Sequence, residues 1–210
     1  MNSPATPDFL YFDLGNVLLL FDHERGCDQV SKLTGLPATK VRQVVFENDL
    51  NHRYERGEIS SQQFYDEFCA ATNTTPDYES LLVAGSDIFE LNLPMVPVIA
   101  QLNAAGYAMG LLSNTCEAHW QFITGGRFSL LNNFFPLHVL SYEEKCSKPD
   151  LRIYQTAAER AGVTPEQVFY VDDREENVSG AREAGFDAVL FEGPRKLAID
   201  LRNRGLRFNY

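Results

Sequence analysis

Residues 9–12 form an unbroken apolar run, FLYF, that is followed directly by a carboxylate, Asp13. Four apolar residues in succession predict a strand that is buried on both faces, as in the middle of a parallel sheet. In an open α/β sheet, ligands bind beyond the carboxyl ends of the strands. The run therefore predicts that Asp13 lies at a ligand-binding edge, although a single Asp at this point would also suit the cap of a turn.

Two later apolar runs, over residues 107–112 and 168–171, also predict strands that end on polar side chains. The residues that follow them are Ser113, Asn114, Asp172 and Asp173. Because parallel strands end at one edge of the sheet, we expect these side chains to converge with Asp13. Lys148, just before a predicted helix, adds a positive charge. Carboxylate oxygens suit Mg²⁺, which usually binds one or two protein carboxylates together with phosphate and water.

The segment from residue 22 to 93 interrupts the alternation of strands and helices. Apolar residues recur there at helical spacing, Ser60 and Gln63 form a capping-box pattern, and no strand signal is evident. We therefore predict a core of residues 1–21 and 94–210 with a doubly wound parallel α/β sheet, and an inserted all-helical cap of residues 22–93.

Composition limits the partners of the chain. Its 210 residues carry a formal net charge of −11, which argues against nucleic acid or an anionic membrane surface as the main partner and still allows a local phosphate site. No apolar run approaches about 20 residues, and the first residues lack the features of a signal peptide. The four cysteines form no disulfide or zinc pattern. We expect a cytoplasmic protein with a small-molecule partner, and the oligomeric state stays open.

Four motifs, in order between residues 9 and 177, resemble those of the haloacid dehalogenase-like hydrolase superfamily. They are Asp13-Leu14-Gly15-Asn16-Val17, Leu112-Ser113-Asn114-Thr115, Lys148-Pro149, and Asp172-Asp173 with Asn177. The helical block resembles the small C1-type cap of this superfamily. The first motif and the sequence Arg-Gly-Glu-Ile-Ser from Arg56 to Ser60 most resemble bacterial sugar-phosphatase-like members of the α-D-glucose-1-phosphate phosphatase type.

The resemblance implies how the motifs would treat a phosphate ester. Asp13 would be the nucleophile and form an aspartyl-phosphate, which divides one difficult displacement into two steps. Ser113 and the backbone N–H of Asn114 would bind the phosphate oxygens. Lys148 would add positive charge to the phosphate and to Asp13, whose neighbouring carboxylates would otherwise repel it.

The resemblance also implies a metal site. Mg²⁺ would bind between Asp13, the backbone carbonyl of Gly15 and Asp172. Asp173 would contact the ion through water. Mg²⁺ is therefore the expected cofactor.

Several of these residues have structural alternatives. Ser113 and Asp173 would each suit the N-cap of the helix that follows, and Lys145 competes with Lys148 as the functional lysine. The remaining polar candidates, for which we expect a structural position, are Asn177, His23 and Tyr54.

One position departs from the pattern that the resemblance implies. Most phosphatases of this superfamily carry a second Asp two residues after the nucleophile, where it protonates the leaving group, but here that residue is Gly15. Without this acid, good leaving groups are favoured, so we expect a preference for sugar-1-phosphates and other activated esters.

The sequence as a whole predicts a Mg²⁺-dependent phosphomonoester hydrolase acting on a small phosphorylated metabolite, such as a sugar phosphate. One alternative is a 2-haloacid dehalogenase-type hydrolase, against which the pair Asp172-Asp173 argues. A second is a weakly active phosphate-binding or regulatory protein of the same superfamily.

Overall fold

The computed structural model describes residues 6–210. The expectation about a signal peptide rests in part on residues 1–5, which lie outside the described residues. The strands of the described part are β1 (Phe9–Phe12), β2 (Leu19–Phe21), β3 (Phe89–Leu91), β4 (Met109–Ser113), β5 (Leu137–Leu140), β6 (Val168–Asp172) and β7 (Asp187–Leu190). Five of them pair in parallel in the order β5-β4-β1-β6-β7. The apolar run at residues 9–12 is therefore the central strand, as its composition predicts.

Helices connect and cover these strands. The α-helices of the described part are α1 (His23–Thr34), α2 (Ala38–Arg42), α3 (Leu50–Glu55), α4 (Ser61–Thr72), α5 (Tyr78–Ser86), α6 (Val96–Ala104), α7 (Glu117–Thr124), α8 (Ser129–Phe134), α9 (Ser141–Glu144), α10 (Leu151–Ala161), α11 (Glu175–Glu183) and α12 (Pro194–Asn203). Ser60 and Gln63 form the predicted capping box at the start of α4. Within residues 6–210, no helix has the length and apolar character that crossing a membrane requires.

The central sheet is covered on both faces. Successive residues of a strand point to opposite sides, so Leu10 and Phe12 pack in one hydrophobic cluster while Phe9 and Tyr11 pack in another. Residues of α6 and α12 belong to the first cluster, and residues of α10 and α11 belong to the second. This is the doubly wound α/β architecture that the sequence predicts.

The block between β2 and β3 contains helices α1–α5, whose apolar residues share a third hydrophobic cluster. The prediction that residues 22–93 contain no strand is wrong at β3, which pairs antiparallel with β2. Since β3 has three residues and buries only the first, it is too short to show strand periodicity. The ribbon spans the predicted division, with β2 in residues 1–21 and β3 in residues 22–93, and that division stays a prediction.

Polar contacts attach the inserted block to the core beside the end of β4. Tyr54 is buried, as expected for a structural position, and its hydroxyl accepts a hydrogen bond from the backbone N–H of Ala118 at 3.0 Å. The same hydroxyl lies 2.6 Å from the hydroxyl of Ser61, which also donates to the carboxylate of Glu117. The start of α4 is thereby held against the start of α7.

A second attachment involves the C-terminal end of α3. The hydroxyl of Ser141 donates a hydrogen bond to the carbonyl oxygen of Glu55 at 2.6 Å. Gly57 has a φ of +64°, and a Cβ at this position would overlap the carbonyl oxygen of Tyr142. Only glycine allows this backbone conformation and this approach together. The turn after α3 is therefore pressed directly onto the edge where the strands end.

Candidate active site

The ends of β1, β4 and β6 bring together the polar residues that the sequence places after each strand. Asp13 follows β1, Ser113 is the last residue of β4 and Asp172 is the last residue of β6, and all three are buried. Asp13, Asp172 and Asp173 each offer a carboxylate oxygen, and these oxygens lie within 4.8 Å of one another. The strand ends thus form one acidic cluster.

Lys148 lies within this cluster. Its Nζ is 2.8 Å from Asp13 Oδ1 and 2.7 Å from Asp172 Oδ2, and it donates to the carbonyl oxygen of Leu112 at 3.0 Å. The side chain is 1% exposed, whereas the alternative lysine, Lys145, is exposed at the surface. The lysine that joins the carboxylates is therefore Lys148.

Asn114 ties the loop after β4 to the segment that carries Lys148. The backbone N–H of Lys148 donates to Asn114 Oδ1 at 2.8 Å, and Asn114 Nδ2 donates back to the carbonyl oxygen of Lys148 at 3.0 Å. The side chain of Asn114 is therefore structural, and the role expected at a phosphate concerns its backbone N–H.

The capping alternatives for Ser113 and Asp173 are wrong. Helix α7 begins later, with Cys116 at its N-cap and no side-chain cap. Helix α11 has Arg174 at its N-cap, again without a capping side chain. Ser113 lies three residues before the N-cap of α7 and Asp173 lies one residue before the N-cap of α11, so neither residue occupies the capping position. Ser113 and Asp173 thus belong to the strand-end edge.

Burial and charge together set the ionisation of the cluster. Burial raises the pKa of Asp13 to about 7, with Lys148 acting against the increase and the charge of Asp172 adding to it. Burial also disfavours the charged form of Lys148, but Asp13 and Asp172 outweigh it and raise the pKa of the ammonium group. At Asp172 burial would raise the pKa, but the charge of Lys148 outweighs burial and lowers it. Lys148 and Asp172 therefore form a buried ion pair, and Asp13 carries the more costly charge.

Asp172 accepts hydrogen bonds through both of its oxygens. Oδ1 accepts from the backbone N–H of Arg174 at 2.8 Å and from Asn177 Nδ2 at 3.0 Å. Oδ2 accepts from Lys148 and from the hydroxyl of Tyr170. Asn177 is buried here, in agreement with the structural position expected for it. With donors around both oxygens, Asp172 is suited to hold Lys148 in position.

Asp173 is the more accessible of the paired carboxylates. It is half-buried and lines a cavity together with Asp13 and Gly15, and its Oδ2 accepts a hydrogen bond from Asn16 Nδ2 at 2.9 Å. Carboxylate and carbonyl oxygens are the hard ligands that Mg²⁺ prefers. The carboxylates of Asp13 and Asp173, in a cavity that Gly15 also lines, therefore offer ligands that fit Mg²⁺.

An aromatic ring fills the space beside Gly15. A Cβ at this position would lie 2.9 Å from Cε1 of Phe21, so a side chain there requires the ring to move. The ring also packs against His23, with 4.9 Å between the ring centroids. Burial, assisted by the charge of Arg42, lowers the pKa of His23. The direction in which a side chain at position 15 would project is thus occupied by the Phe21 ring, which packs on His23.

The cavity has a volume of about 400 Å³ and two walls. One wall, which we call the core wall, consists of Asp13, Asn114, Ser147, Lys148, Asp173 and Arg174. The other, which we call the α3 wall, consists of His23, Phe46, Asn51, His52, Glu55 and Arg56. The acidic cluster therefore faces polar side chains of the inserted block across a space large enough for a small molecule.

Most of the α3 wall is absent from the site that the sequence predicts. The polar residues that α3 and the following turn contribute are Asn51, His52, Glu55 and Arg56. They are two pairs with a spacing of four residues, which places each pair on one side of a helix. This spacing, immediately before the Arg56–Ser60 segment, is the signal that could have identified them.

A family model described as haloacid dehalogenase-like hydrolase matches residues 9–185, which is most of the chain. The chain belongs to the haloacid dehalogenase-like hydrolases. The match covers all four motifs, both walls of the cavity and the inserted block. The chain is accordingly a hydrolase, as its strand-end residues predict.

The curated relatives to which the chain is similar include phosphatases and a dehalogenase. A D-ribitol-5-phosphate phosphatase of Bacteroides thetaiotaomicron is 24% identical over 183 residues, 85% of this chain and 88% of the relative. An (S)-2-haloacid dehalogenase of Burkholderia cepacia is 33% identical over 91 residues, 43% of this chain and 38% of the relative. The chain spans less than half the length of several curated relatives that it matches.

Solved structures of the family share the fold. A haloacid dehalogenase-family enzyme from Bacteroides thetaiotaomicron, in complex with magnesium and inorganic phosphate, superposes with a TM-score of 0.77 and 25% identity. The alignment covers 89% of this chain and 95% of that one. An enzyme of this architecture therefore binds the two ligands that the strand-end residues of the present chain predict.

Proposed function

We propose that this hydrolase is a Mg²⁺-dependent phosphatase that acts on a small phosphomonoester, in particular a sugar or polyol phosphate. The observation that carries the proposal is the contact of Lys148 with Asp13 and Asp172, beside Asp173 at the cavity. A carboxylate nucleophile next to a buried ammonium group and a second accessible carboxylate suits phosphoryl transfer. The similar phosphatase and the magnesium–phosphate complex support this choice.

Asp13 is the nucleophile in this proposal. Its Oδ1 accepts a hydrogen bond from the N–H of Leu14 at 2.7 Å and contacts Lys148, so the carboxylate is fixed and Oδ2 remains to attack phosphorus. The P–O bond to the alcohol breaks as the aspartyl-phosphate forms, and water then cleaves that intermediate. Ser113 and the backbone N–H of Asn114 bind phosphate oxygens.

Asp13, Asp173 and the carbonyl of Gly15 would hold Mg²⁺, which supplies positive charge for the phosphoryl oxygens when it is bound. For Asp172, which the sequence resemblance also implies as a ligand, we propose a positioning role instead. Because its oxygens already accept hydrogen bonds from Lys148 and Asn177, it orients the lysine and is the less suitable direct ligand.

The surroundings of Gly15 bear on the substrate. No acid on the nucleophile loop is available to protonate the leaving oxygen, because Gly15 has no side chain and Phe21 fills the adjacent space. General acid catalysis typically contributes about 10²–10⁴-fold. We therefore include in the proposal a preference for sugar-1-phosphates over esters with poorer leaving groups.

The test is phosphate release from a panel of sugar and polyol phosphates, with Mg²⁺ and with excess EDTA. We expect turnover of at least one member with Mg²⁺ and its loss with EDTA, restored by added Mg²⁺. Asp13→Asn is the control for contaminating phosphatases. No turnover of any member would contradict the phosphatase proposal and leave the weakly active phosphate-binding alternative.

The second candidate function is 2-haloacid dehalogenation, which the similar Burkholderia cepacia enzyme favours. It is tested by chloride release from (S)-2-chloropropionate. This reaction would continue in EDTA, because a carboxylate nucleophile displaces halide from carbon without a charged phosphoryl group to neutralise. Asp173 argues against this candidate, since that reaction has no use for an accessible metal-binding carboxylate.

A further inference from the structure

Glu55 is the acidic residue of the α3 wall, and it lines the same cavity as Asp13 and Asp173. Its side chain is 22% exposed. It lies on the inserted block, whereas the nucleophile and the metal-binding carboxylates lie on the core. A molecule held at Asp13 by its phosphate would therefore extend its alcohol part toward Glu55.

The backbone of Glu55 is fixed relative to the loop after β4, residues 114–116, to which the proposed function assigns phosphate binding; we call it the phosphate-binding loop. The Ser141 hydroxyl that donates to the carbonyl oxygen of Glu55 also accepts a hydrogen bond from the backbone N–H of Thr115 at 2.9 Å. Thr115 directly follows Asn114 in the loop after β4. One buried hydroxyl therefore sets the distance between the end of α3 and the phosphate-binding loop.

The carboxylate of Glu55 is oriented but incompletely paired. Oε1 accepts a hydrogen bond from Asn51 Nδ2 at 3.0 Å, while Oε2 is 3.8 Å from His52 Nδ1, beyond hydrogen-bond distance. Burial raises the pKa of Glu55, and the hydrogen bond from Asn51 acts in the opposite direction. A carboxylate that has lost much of its water is stabilised by any additional donor that enters the cavity.

We propose that Glu55 is a specificity-determining residue that accepts a hydrogen bond from a hydroxyl group of the alcohol part of the substrate. This proposal rests on the phosphatase function proposed above and narrows its substrate class to phosphate esters of polyhydroxylated compounds. An ester without hydroxyl groups would displace water from the Glu55 carboxylate and offer it no hydrogen-bond donor, which weakens binding of that ester.

The competing role for Glu55 is a general acid that replaces the one missing at Gly15. The donor at Oε1 argues against it, since Asn51 Nδ2 stabilises the ionised form and a general acid must hold a proton. The two roles differ in kinetics. Hydroxyl recognition acts on binding of one class of ester, whereas proton donation acts on the chemical step and depends on the leaving group.

The experiment compares matched esters with the parent and with Glu55→Gln. D-ribitol 5-phosphate is paired with pentyl phosphate, and myo-inositol 1-phosphate with cyclohexyl phosphate, so that each pair differs mainly in its hydroxyl groups. In Glu55→Gln we expect KM for at least one hydroxylated ester to rise by about tenfold, with kcat and the constants of the hydroxyl-free esters little changed. Glu79→Gln, an exposed charge removal on α5, should leave every constant unchanged.

Three outcomes would overturn the proposal. They are equal losses on both members of a pair, a fall in kcat that grows with the pKa of the leaving alcohol, and no change on any ester. Calorimetric binding to Asp13→Asn, with and without Glu55→Gln, tests the same proposal without turnover. There the hydroxylated esters should bind about tenfold more weakly and inorganic phosphate equally well. A parent that hydrolyses none of the esters would refute the phosphatase function, while this binding comparison would still decide the role of Glu55.

Discussion

The two walls of the cavity are built in opposite ways. On the core wall, Lys148 and its partner Asp172 are almost fully buried, and protein groups surround the ammonium group at 2.7–3.0 Å. On the α3 wall, the side chains of His52 and Arg56 are 61% and 37% exposed, and Arg56 pairs with Glu58 of its own block. Because these core-wall side chains are held by buried contacts, their positions are fixed, which suits a reaction that requires one geometry. The exposed side chains of the α3 wall can be substituted individually without disturbing a core, which suits the recognition of different alcohol parts of a substrate.

The largest expected effect comes from the core wall. Asp13→Asn keeps the oxygen that accepts from Leu14 and Lys148 but removes the nucleophile, so kcat for phosphate release should fall at least about a thousandfold. The folded state should keep its melting temperature, since burial already disfavours the charge of Asp13. On the α3 wall, His52→Gln should stay within about tenfold of the parent. Activity of Asp13→Asn within tenfold of the parent would exclude Asp13 as the nucleophile.

A second comparison separates two adjacent carboxylates. Asp173→Asn should raise the Mg²⁺ concentration for half-maximal activity at least about tenfold and leave the melting temperature nearly unchanged. Asp172→Asn should instead lower the free energy of unfolding by about 3–5 kcal/mol, because the folded protein favours the charged form of Asp172, unlike that of Asp13, and the variant leaves Lys148 without this partner. Mg²⁺ titrations and urea unfolding of both variants measure the two effects. A Mg²⁺ titration of Asp173→Asn that overlays that of the parent would contradict the assignment of Asp173 as the ligand.

The attachment between the walls can be broken at Gly57. Gly57→Ala places a methyl group against the carbonyl oxygen of Tyr142, which cannot move as freely as a side chain, so we expect a loss of about 2–4 kcal/mol in unfolding free energy. Gly35 is the matched control, with a φ of +75° and open space around its Cβ position. Gly35→Ala should cost only about 1 kcal/mol. Equal losses in urea unfolding would show that the contact with Tyr142 contributes nothing.

The smallest expected effect is a gradual dependence of the unfolding free energy on pH. His119 of α7 packs edge-on against Phe89, 5.2 Å between ring centroids, and burial followed by the charge of His23 lowers its pKa to about 4 from 6.5. The unfolded chain therefore binds a proton there that the folded chain does not. Above pH 6.5 His119 is neutral in both states and does not reduce stability. As the pH falls from 6.5 toward 4, protonation of the unfolded chain lowers the free energy of unfolding by about 1.4 kcal/mol per pH unit.

His119→Gln removes this titration and keeps a hydrogen-bond donor. The parent should therefore lose stability more steeply than the variant between pH 6.5 and 4, measured by urea unfolding at a series of pH values. Parallel curves over that interval would mean that His119 gains its proton as easily in the folded protein as in the unfolded chain.

The core wall could largely be predicted from the sequence. Asp13 and Asp172 follow buried apolar runs, and a parallel sheet necessarily places such ends at one edge. Lys148 is recognisable because it precedes a helix with a clear apolar face. These signals are local, so the fold class and the acidic cluster follow from them.

The rest depends on contacts that no local pattern records. Strand β3 is three residues long and is defined by its antiparallel partner β2, in which Leu19 lies opposite Leu91 and Phe21 opposite Phe89, 72 and 68 residues apart in the sequence. The distinction between Asp172 and Asp173 depends on which oxygens meet Lys148 and Asn177 in space. Glu55 lies at the cavity because contacts distant in sequence, such as the hydrogen bond from Ser141, hold the end of α3 at the sheet edge.

The Phe21 ring beside Gly15 makes these two positions epistatic. Gly15→Asp alone meets the ring, and a smaller residue at position 21 alone leaves a void beside a glycine. A smaller residue at position 21 would give a carboxylate at position 15 the room that the ring otherwise occupies. An acid at position 15 is therefore better accommodated when position 21 changes with it. The two residues are expected to be exchanged together or kept together.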